Sequence, residues 1–157
     1  MKVMLFANTD WYLYNFRLPL AMTLRDRGDE VILLSPAGDY VQRLTANGFR
    51  WIGLRMARGG GNPLAEFGTL LQVWRLYRAE RPDLVHHFTP KSVLYGSLAA
   101  RWSAIHSIVN SVTGLGYLFS GQGWWRNLVR FLASRLYRLA SEGRRSSFRI
   151  LKTGLHS

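Results

Sequence analysis

Candidate residues for proton transfer follow apolar runs in the sequence. The stretch HHFTPKSVLYG, His86 to Gly96, ends one such run with two histidines, a threonine and a lysine, and Asp10 follows another. Histidine and carboxylate side chains act as general acids and bases. Adjacent strand residues face opposite sides of a sheet, so only one histidine can lie in the core. We expect His87, nearer the strand end, to be a cleft residue, and Asp10 and His87 to be catalytic.

Each of these roles has a structural alternative. Asp10 could instead cap the turn that enters the first helix. A histidine at a strand end is more often a hydrogen-bonded, partly buried residue than a catalyst. Lys91 either contacts an anion or is solvated. The residues alone leave these alternatives open.

Five strand-and-helix units position these residues. Each predicted strand is a short apolar run followed by apolar residues at helical spacing. Alternating strands and helices imply a parallel sheet with helices on both faces, because crossovers between parallel strands are right-handed. The predicted fold class is α/β, a Rossmann-like doubly wound parallel sheet. The predicted strands are KVMLFA (2–7), EVILLS (30–35), FRWIGL (49–54), DLVHHF (83–88) and SIVNSV (107–112).

The loops after the strands of such a sheet gather along one edge, where ligands bind. This edge includes residues 36–39 and, from the Gly-rich loop at 57–62, residues 59–62. The glycines of TGLG allow close approach to a ligand, and they equally suit a tight turn. The candidate ligand-edge residues are Asn8, Thr9, Asp10 and Trp11 after the first strand, His87, Thr89 and Lys91 after the fourth, and Thr113, Gly114 and Gly116 after the fifth.

Composition limits the class of protein. The 157 residues are 48% hydrophobic, enough for one domain with a core. No apolar run reaches the roughly 18 residues of a spanning helix, so we expect a cytoplasmic protein. Cysteine is absent, which excludes disulfides and thiolate chemistry. The net charge of +12 attracts phosphates, whether of nucleic acid, anionic lipid or nucleotide sugar.

Several common motifs are missing. NTDWYLYNF stands where a dinucleotide oxidoreductase has G-x-G-x-x-G, and no Walker, G-x-S-x-G or H-E-x-x-H motif occurs. Without a phosphate loop after the first strand, a complete nucleotide-binding enzyme of flavodoxin size is disfavoured. Histidines and carboxylates are scarce, so we predict no metal site.

Several segments together resemble a known family. NTDWYLYNFRLPLA, GDEVILLSPAGDY, GFRWIGL, RPDLVHHFTPKSVLYGSLAA and VNSVTGLGYLF are similar, in order and spacing, to the N-terminal half of bacterial family 4 glycosyltransferases of the polysaccharide type. The resemblance implies a GT-B architecture, in which two Rossmann-like domains face each other across a cleft. It also implies retaining transfer of a sugar from a nucleotide sugar, without an obligatory metal.

In that family the N-terminal domain mainly receives the acceptor. The resemblance therefore implies an acceptor-side half in polysaccharide or lipopolysaccharide synthesis, acting on a saccharide or lipid-linked saccharide. A UDP- or GDP-sugar is expected for the full-length enzyme, and no cofactor is expected on this chain. Many relatives have a histidine after the fifth strand, where this chain has Ser111 to Gly114, so that catalytic histidine is not carried over. The implied acceptor-binding residues are Asn8, Thr9, Trp11, Thr89, Lys91, Thr113, Gly114 and Gly116.

The carboxyl-terminal tail departs from the strand-and-helix pattern. Residues 1–140 are predicted to form the acceptor-side domain, but 141–157, SEGRRSSFRILKTGLHS, lacks a sixth apolar strand. Moving the reading frame back by one base lets Arg145 to Thr153 and the next codon encode VIFQNPEDR, an apolar strand followed by an Asn-Pro turn. We interpret the tail as a non-native frameshift product and expect a truncated chain that is inactive alone.

A second function remains open from the residues. The segment 124–140 has leucines on one face and arginines on the other, which suits either an ordinary Rossmann helix or a helix on an anionic membrane. The alternative function is a non-catalytic basic module that binds anionic membrane or nucleic acid. Nucleic acid is disfavoured because the arginines are spread over several segments without a known binding signature. We expect a cytoplasmic protein, peripheral on the inner face of the membrane.

Overall fold

Five parallel strands form one sheet in the computed structural model, which describes residues 1–56 and 63–111. These strands are β1 (Lys2–Phe6), β2 (Glu30–Ser35), β3 (Arg50–Gly53), β4 (Leu84–His87) and β5 (Ser107–Asn110). Their order across the sheet is β3-β2-β1-β4-β5, and every neighbouring pair is parallel. The predicted α/β class and Rossmann-like parallel sheet are confirmed.

Helices connect the strands as predicted. They are α1 (Asp10–Tyr12), α2 (Leu18–Asp26), α3 (Val41–Ala46), α4 (Pro63–Glu80) and α5 (Pro90–Trp102). A π-helical segment, Leu13–Arg17, joins α1 to α2 and was not predicted. Within residues 1–56 and 63–111, none of these helices is long and apolar enough to cross a membrane.

The core lies on both faces of the sheet because side chains alternate along each strand. Val3 and Leu5 of β1 pack with α2 and α3 on one face, whereas Met4 and Phe6 pack with α4 and α5 on the other. The central strands are therefore buried on both sides, which explains their continuous apolar sequence. This arrangement confirms the doubly wound fold.

Glycines end two of the helices as the sequence indicates. Gly28 has φ 88° after α2, and Gly48 has φ 81° after α3. An L-residue with a side chain rarely adopts this backbone conformation, so glycine is favoured there. Each turn releases the chain into the next strand.

The chain divides into two units, Met1–Phe119 and Ser120–Ser157, and the described residues all belong to the first. The predicted helix at 124–140, the tail at 141–157 and the Gly-rich loop at 57–62 lie outside the described residues.

Candidate functional site

The carboxyl-terminal ends of β1, β4 and β5 lie side by side in the sheet. Phe6 of β1 pairs with His87 of β4, and His87 pairs with Asn110 of β5. The segments that follow these strands therefore meet at one edge, which we call the carboxyl edge. In parallel α/β sheets this edge is where ligands bind.

Asp10 fastens two loops together at the carboxyl edge. Its Oδ1 accepts a hydrogen bond from the backbone N–H of Trp11, and its Oδ2 accepts one from the N–H of Tyr40, each at 2.8 Å. The side chain of Asp10 is buried, and a Cβ on the neighbouring Gly38 would overlap the carboxylate. Both oxygens bind backbone, so the geometry favours the capping alternative over a general base.

The loop after β1 presents an exposed aromatic pair. Thr9 caps α1, since its Oγ1 accepts from the N–H of Tyr12 at 3.1 Å, and Asn8 beside it is half-buried. Trp11 is 47% exposed and packs edge to face on Phe16, which is 54% exposed, with ring centroids 5.3 Å apart. Large apolar side chains left in solvent at a ligand edge indicate a contact surface.

His87 does not lie in the cleft. The side chain is fully buried on the face covered by α4 and α5. Its Nε2 is 2.9 Å from the hydroxyl of Tyr77, and its Nδ1 is 2.7 Å from Oδ1 of Asn110. The predicted cleft position of His87 is therefore wrong, because its place in the strand alternation turns the ring into the core. The half-buried histidine is its neighbour, His86.

The hydrogen bonds of His87 specify a neutral ring. Oδ1 of Asn110 needs a donor, so Nδ1 carries the proton and Nε2 accepts from the hydroxyl of Tyr77. Burial lowers the pKa of His87 to about 4, and the hydrogen bond with Asn110 opposes this shift only in part. Burial also raises the pKa of the Tyr77 phenol, so that it stays a donor.

We expect this histidine to make stability depend on pH. The pKa of His87 is about 4 in the folded chain and near its ordinary 6.5 in the unfolded chain, so the unfolded chain binds more protons between these values. Stability from this group is complete above the unfolded pKa and falls as the pH is lowered towards 4. From pH 7 to pH 5 the loss is roughly 2 kcal/mol. Urea unfolding at the two pH values measures it.

Two variants test whether His87 is responsible. His87→Gln cannot titrate, so its free energy of unfolding should change by a smaller amount between pH 7 and pH 5. His106→Gln removes an exposed histidine and should keep the dependence of the parent chain. A pH dependence that survives in His87→Gln at full size contradicts the assignment.

His86 lies on the opposite face from His87. Its Nε2 is 2.7 Å from the hydroxyl of Ser111, and its ring lies 4.0 Å from that of Phe88. Burial, and then the positive charge of Arg17, lower the pKa of His86 to about 4. The neutral ring is therefore the form present near neutral pH.

The start of α5 is tied to the start of α4. The ammonium of Lys91 lies 3.1 Å from Oε1 of Glu66, and the hydroxyl of Tyr95 donates to Oε2 of the same carboxylate. Thr89, the N-cap residue of α5, is buried and shares a 2.8 Å hydrogen bond with Ser92. Lys91 is therefore ion-paired with a carboxylate of the protein itself, and its predicted contact with an acceptor stays a prediction.

Sequence reasoning missed four residues of this region. Glu66 had a readable signal, because it begins a buried stripe with Thr69, Val73 and Tyr77 at helical spacing. Arg17 had no such signal in the sequence, because the position of its side chain depends on the π-helical segment. Tyr77 belongs to the same stripe, but nothing in the sequence indicates that Tyr77 and Asn110 contact His87, because the three residues lie on different elements.

Three candidate residues cannot be placed. Thr113, Gly114 and Gly116 lie outside the described residues. Among residues 1–56 and 63–111, no group of three or more His, Asp or Glu side chains is arranged to hold a metal ion.

A cavity of about 490 Å³ lies at the opposite edge of the sheet. It is lined by residues at the end of α4 and the end of α5, including Arg78, Arg81, Ser103 and His106. It is separate from the carboxyl edge and contains none of the predicted site residues.

Several solved structures share this fold. MurG of Acinetobacter baumannii matches with a TM-score of 0.59 and 20% identity, over 71% of this chain and 33% of that one. A glycosyltransferase of Rickettsia africae matches with a TM-score of 0.56 and 17% identity, over 69% and 28%. A putative UDP-N-acetylglucosamine 2-epimerase of Listeria monocytogenes also has a TM-score of 0.56, with 19% identity over 69% and 29%. At these identities the likeness concerns the fold, which is the N-terminal half of the GT-B architecture.

Sequence comparison identifies the family. The N,N'-diacetylbacillosaminyl-diphospho-undecaprenol alpha-1,3-N-acetylgalactosaminyltransferase of Campylobacter jejuni is 31% identical over 140 residues, which are 89% of this chain and 37% of that enzyme. This chain thus spans little more than a third of that relative's length. The family model for glycosyl transferase 4-like proteins matches residues 2–142. With a match over most of its length, the chain belongs to the glycosyl transferase 4-like family.

Proposed function

We propose that this chain is the acceptor-binding part of a glycosyltransferase that transfers a sugar from a nucleotide sugar to a lipid-linked saccharide. The observation that carries the proposal is the 31% identity, along 89% of the chain, to an enzyme named for a diphospho-undecaprenol acceptor. Retention of anomeric configuration is part of the proposal, on the ground of family membership.

The exposed aromatic pair supports an acceptor role. Sugar rings carry apolar C–H faces, and a rigid aromatic side chain offers a large contact area with little loss of rotamer freedom. The backbone N–H of Trp11 is hydrogen-bonded to Asp10 and its ring packs on Phe16, so part of the cost of ordering this side chain is already met in the free protein. We assign the saccharide to Trp11 and Phe16.

Asp10 and His87 support the site from within. Both carboxylate oxygens of Asp10 and both ring nitrogens of His87 are within hydrogen-bond distance of protein groups. We propose that they position the loops of the carboxyl edge and do not contact the reacting atoms.

The donor belongs to the other part of the enzyme in this proposal. Transfer needs preorganised charge on both sides of a closed cleft, and the described residues form one wall of it. A UDP- or GDP-sugar is the proposed donor, and the enzyme works at the cytoplasmic face of the membrane that holds its lipid-linked acceptor. This chain alone is expected to turn over neither donor.

Acceptor binding provides the test of this function. We expect the purified 157-residue chain to bind a saccharide linked to a short polyprenyl diphosphate, measured by calorimetry. Trp11→Ala should weaken this binding by about 10-fold or more, as loss of a central aromatic contact does. Trp102→Ala is the matched control, because Trp102 is 59% exposed at the far end of α5.

Three results would contradict the proposal. In the first, the parent chain does not bind the saccharide. In the second, Trp11→Ala and Trp102→Ala lose the same amount of saccharide affinity. In the third, the 157-residue chain alone turns over a UDP- or GDP-sugar. The first two results would show that the proposed acceptor site is wrong. The third would show that donor binding and transfer do not need another part of the enzyme.

A further inference from the structure

Arg17 carries a positive charge that the described protein does not neutralise. Its Nη2 donates to the hydroxyl of Tyr12 at 2.6 Å, and its guanidinium lies over the ring of Phe88 at 4.5 Å. Its Nε–H is buried and has no hydrogen-bond partner among the residues that the structure describes. Among residues 1–56 and 63–111, no carboxylate lies within ion-pair distance of it.

Other arginines of the chain show the contrast. Arg50 makes two hydrogen bonds to the carboxylate of Glu80, at 2.6 and 2.8 Å. Arg25 donates to the carbonyl of Asn47 at 2.7 Å and lies 3.6 Å from a carboxylate oxygen of Asp26. Both are exposed, whereas Arg17 is half-buried. A charge withdrawn from water is costly unless an opposite charge approaches it, so the least satisfied of these three arginines is also the most buried.

The local backbone places Arg17 at this point. In a regular α-helix, residues five apart, such as Tyr12 and Arg17, point about 140° from each other. The π-helical segment Leu13–Arg17 instead allows the Arg17 side chain to reach Tyr12. Such segments are rare and occur often at functional sites. The arginine is therefore held at the carboxyl edge by an irregular backbone rather than by a counter-charge.

The groups that contact Arg17 in the described part of the chain are neutral. Tyr12 and Phe88 contribute aromatic rings, and His86 lies close enough to experience the positive charge of Arg17. The hydroxyl of Ser111 lies beyond His86. In this surrounding the charge of Arg17 is available to an anion, and partial burial reduces the screening of that charge by water.

We propose that Arg17 anchors an anion site at the carboxyl edge, which binds a phosphate group of a substrate. This inference rests on the proposed function, which supplies two phosphate-bearing substrates. They are the diphosphate of a lipid-linked saccharide and the diphosphate of a nucleotide sugar. Arginine suits either, because its planar donors match phosphate oxygens.

Inorganic pyrophosphate is the first probe. We expect titration of the 157-residue chain to shift the Nε–Hε resonance of Arg17 in a proton–nitrogen NMR spectrum, with saturable binding by calorimetry. Arg17→Gln should weaken pyrophosphate binding by about 10-fold or more. Arg27→Gln removes the same charge from an exposed arginine after α2 and should bind like the parent chain.

Competition identifies the source of the phosphate. A short polyprenyl diphosphosaccharide that displaces pyrophosphate assigns the site to the acceptor, and a UDP-sugar that displaces it assigns the site to the donor. Either result supports the site. An unshifted Arg17 resonance, equal weakening in Arg17→Gln and Arg27→Gln, or displacement by neither substrate overturns it.

The resonance of Arg17 in the parent chain answers the question even if a variant folds poorly. The test is also separate from that of the function. If Arg17→Gln binds pyrophosphate as tightly as the parent and only Trp11→Ala loses the saccharide, the acceptor role stands and the phosphate site fails.

Discussion

Replacing Gly96 by alanine is expected to lower the free energy of unfolding by about 3 kcal/mol. A Cβ at this position in α5 would overlap the ring of His87. That ring cannot move aside, because Tyr77 and Asn110 hold its two nitrogens in a fully buried place. The helix must therefore shift away from β4 or the buried hydrogen bonds must break. Urea unfolding at pH 7 measures the loss.

Gly68 provides a matched control in the neighbouring helix. A Cβ there meets no atom within 4 Å, so Gly68→Ala should raise the free energy of unfolding by about 0.5 to 1 kcal/mol through helix propensity. The double variant Gly96→Ala, His87→Ala should lose less free energy of unfolding than the two single variants together, because alanine at position 87 leaves space for the new Cβ at position 96. Equal effects of Gly96→Ala and Gly68→Ala would show that His87 does not restrain α5.

Replacing Asp10 by alanine is expected to lower the free energy of unfolding by about 3 kcal/mol and to weaken acceptor binding by about 10-fold, as loss of Trp11 does. Two backbone N–H groups, of Trp11 and Tyr40, lose the carboxylate that accepts from them. The start of α1 also loses a negative charge that its dipole stabilises. Without this link the loop after β1 no longer holds Trp11 at the edge. Urea unfolding gives the stability, and calorimetry with the polyprenyl diphosphosaccharide gives the binding.

Two further variants separate these effects. Asp10→Asn keeps the shape of the side chain but has only one oxygen that can accept a hydrogen bond, so it should fall between the parent and Asp10→Ala. Asp26→Ala removes a carboxylate that is 69% exposed on α2, and it should leave both stability and binding nearly unchanged. If Asp10→Ala binds the saccharide as tightly as the parent, Asp10 does not position Trp11.

The two histidines show where prediction from sequence stops. Alternation along a strand correctly implied that His86 and His87 face opposite sides of the sheet. It did not say which side leads to solvent, because both faces of this strand are covered by helices. Burial of His87 depends on Tyr77 from α4 and Asn110 from β5, which only the folded chain brings together.

The sequence by itself determined the strands, the helices, the parallel sheet and the edge at which the loops after the strands meet. These follow from apolar periodicity and from glycine at turns, which act over a few residues at a time. The tertiary structure decided which polar groups are already bound. Asp10 accepts from Tyr40, Lys91 pairs with Glu66, and Arg17 has no carboxylate partner among the described residues. Hydrogen bonds and ion pairs between residues distant in the chain depend on distances that exist only after the sheet has formed, so no local pattern could reveal them.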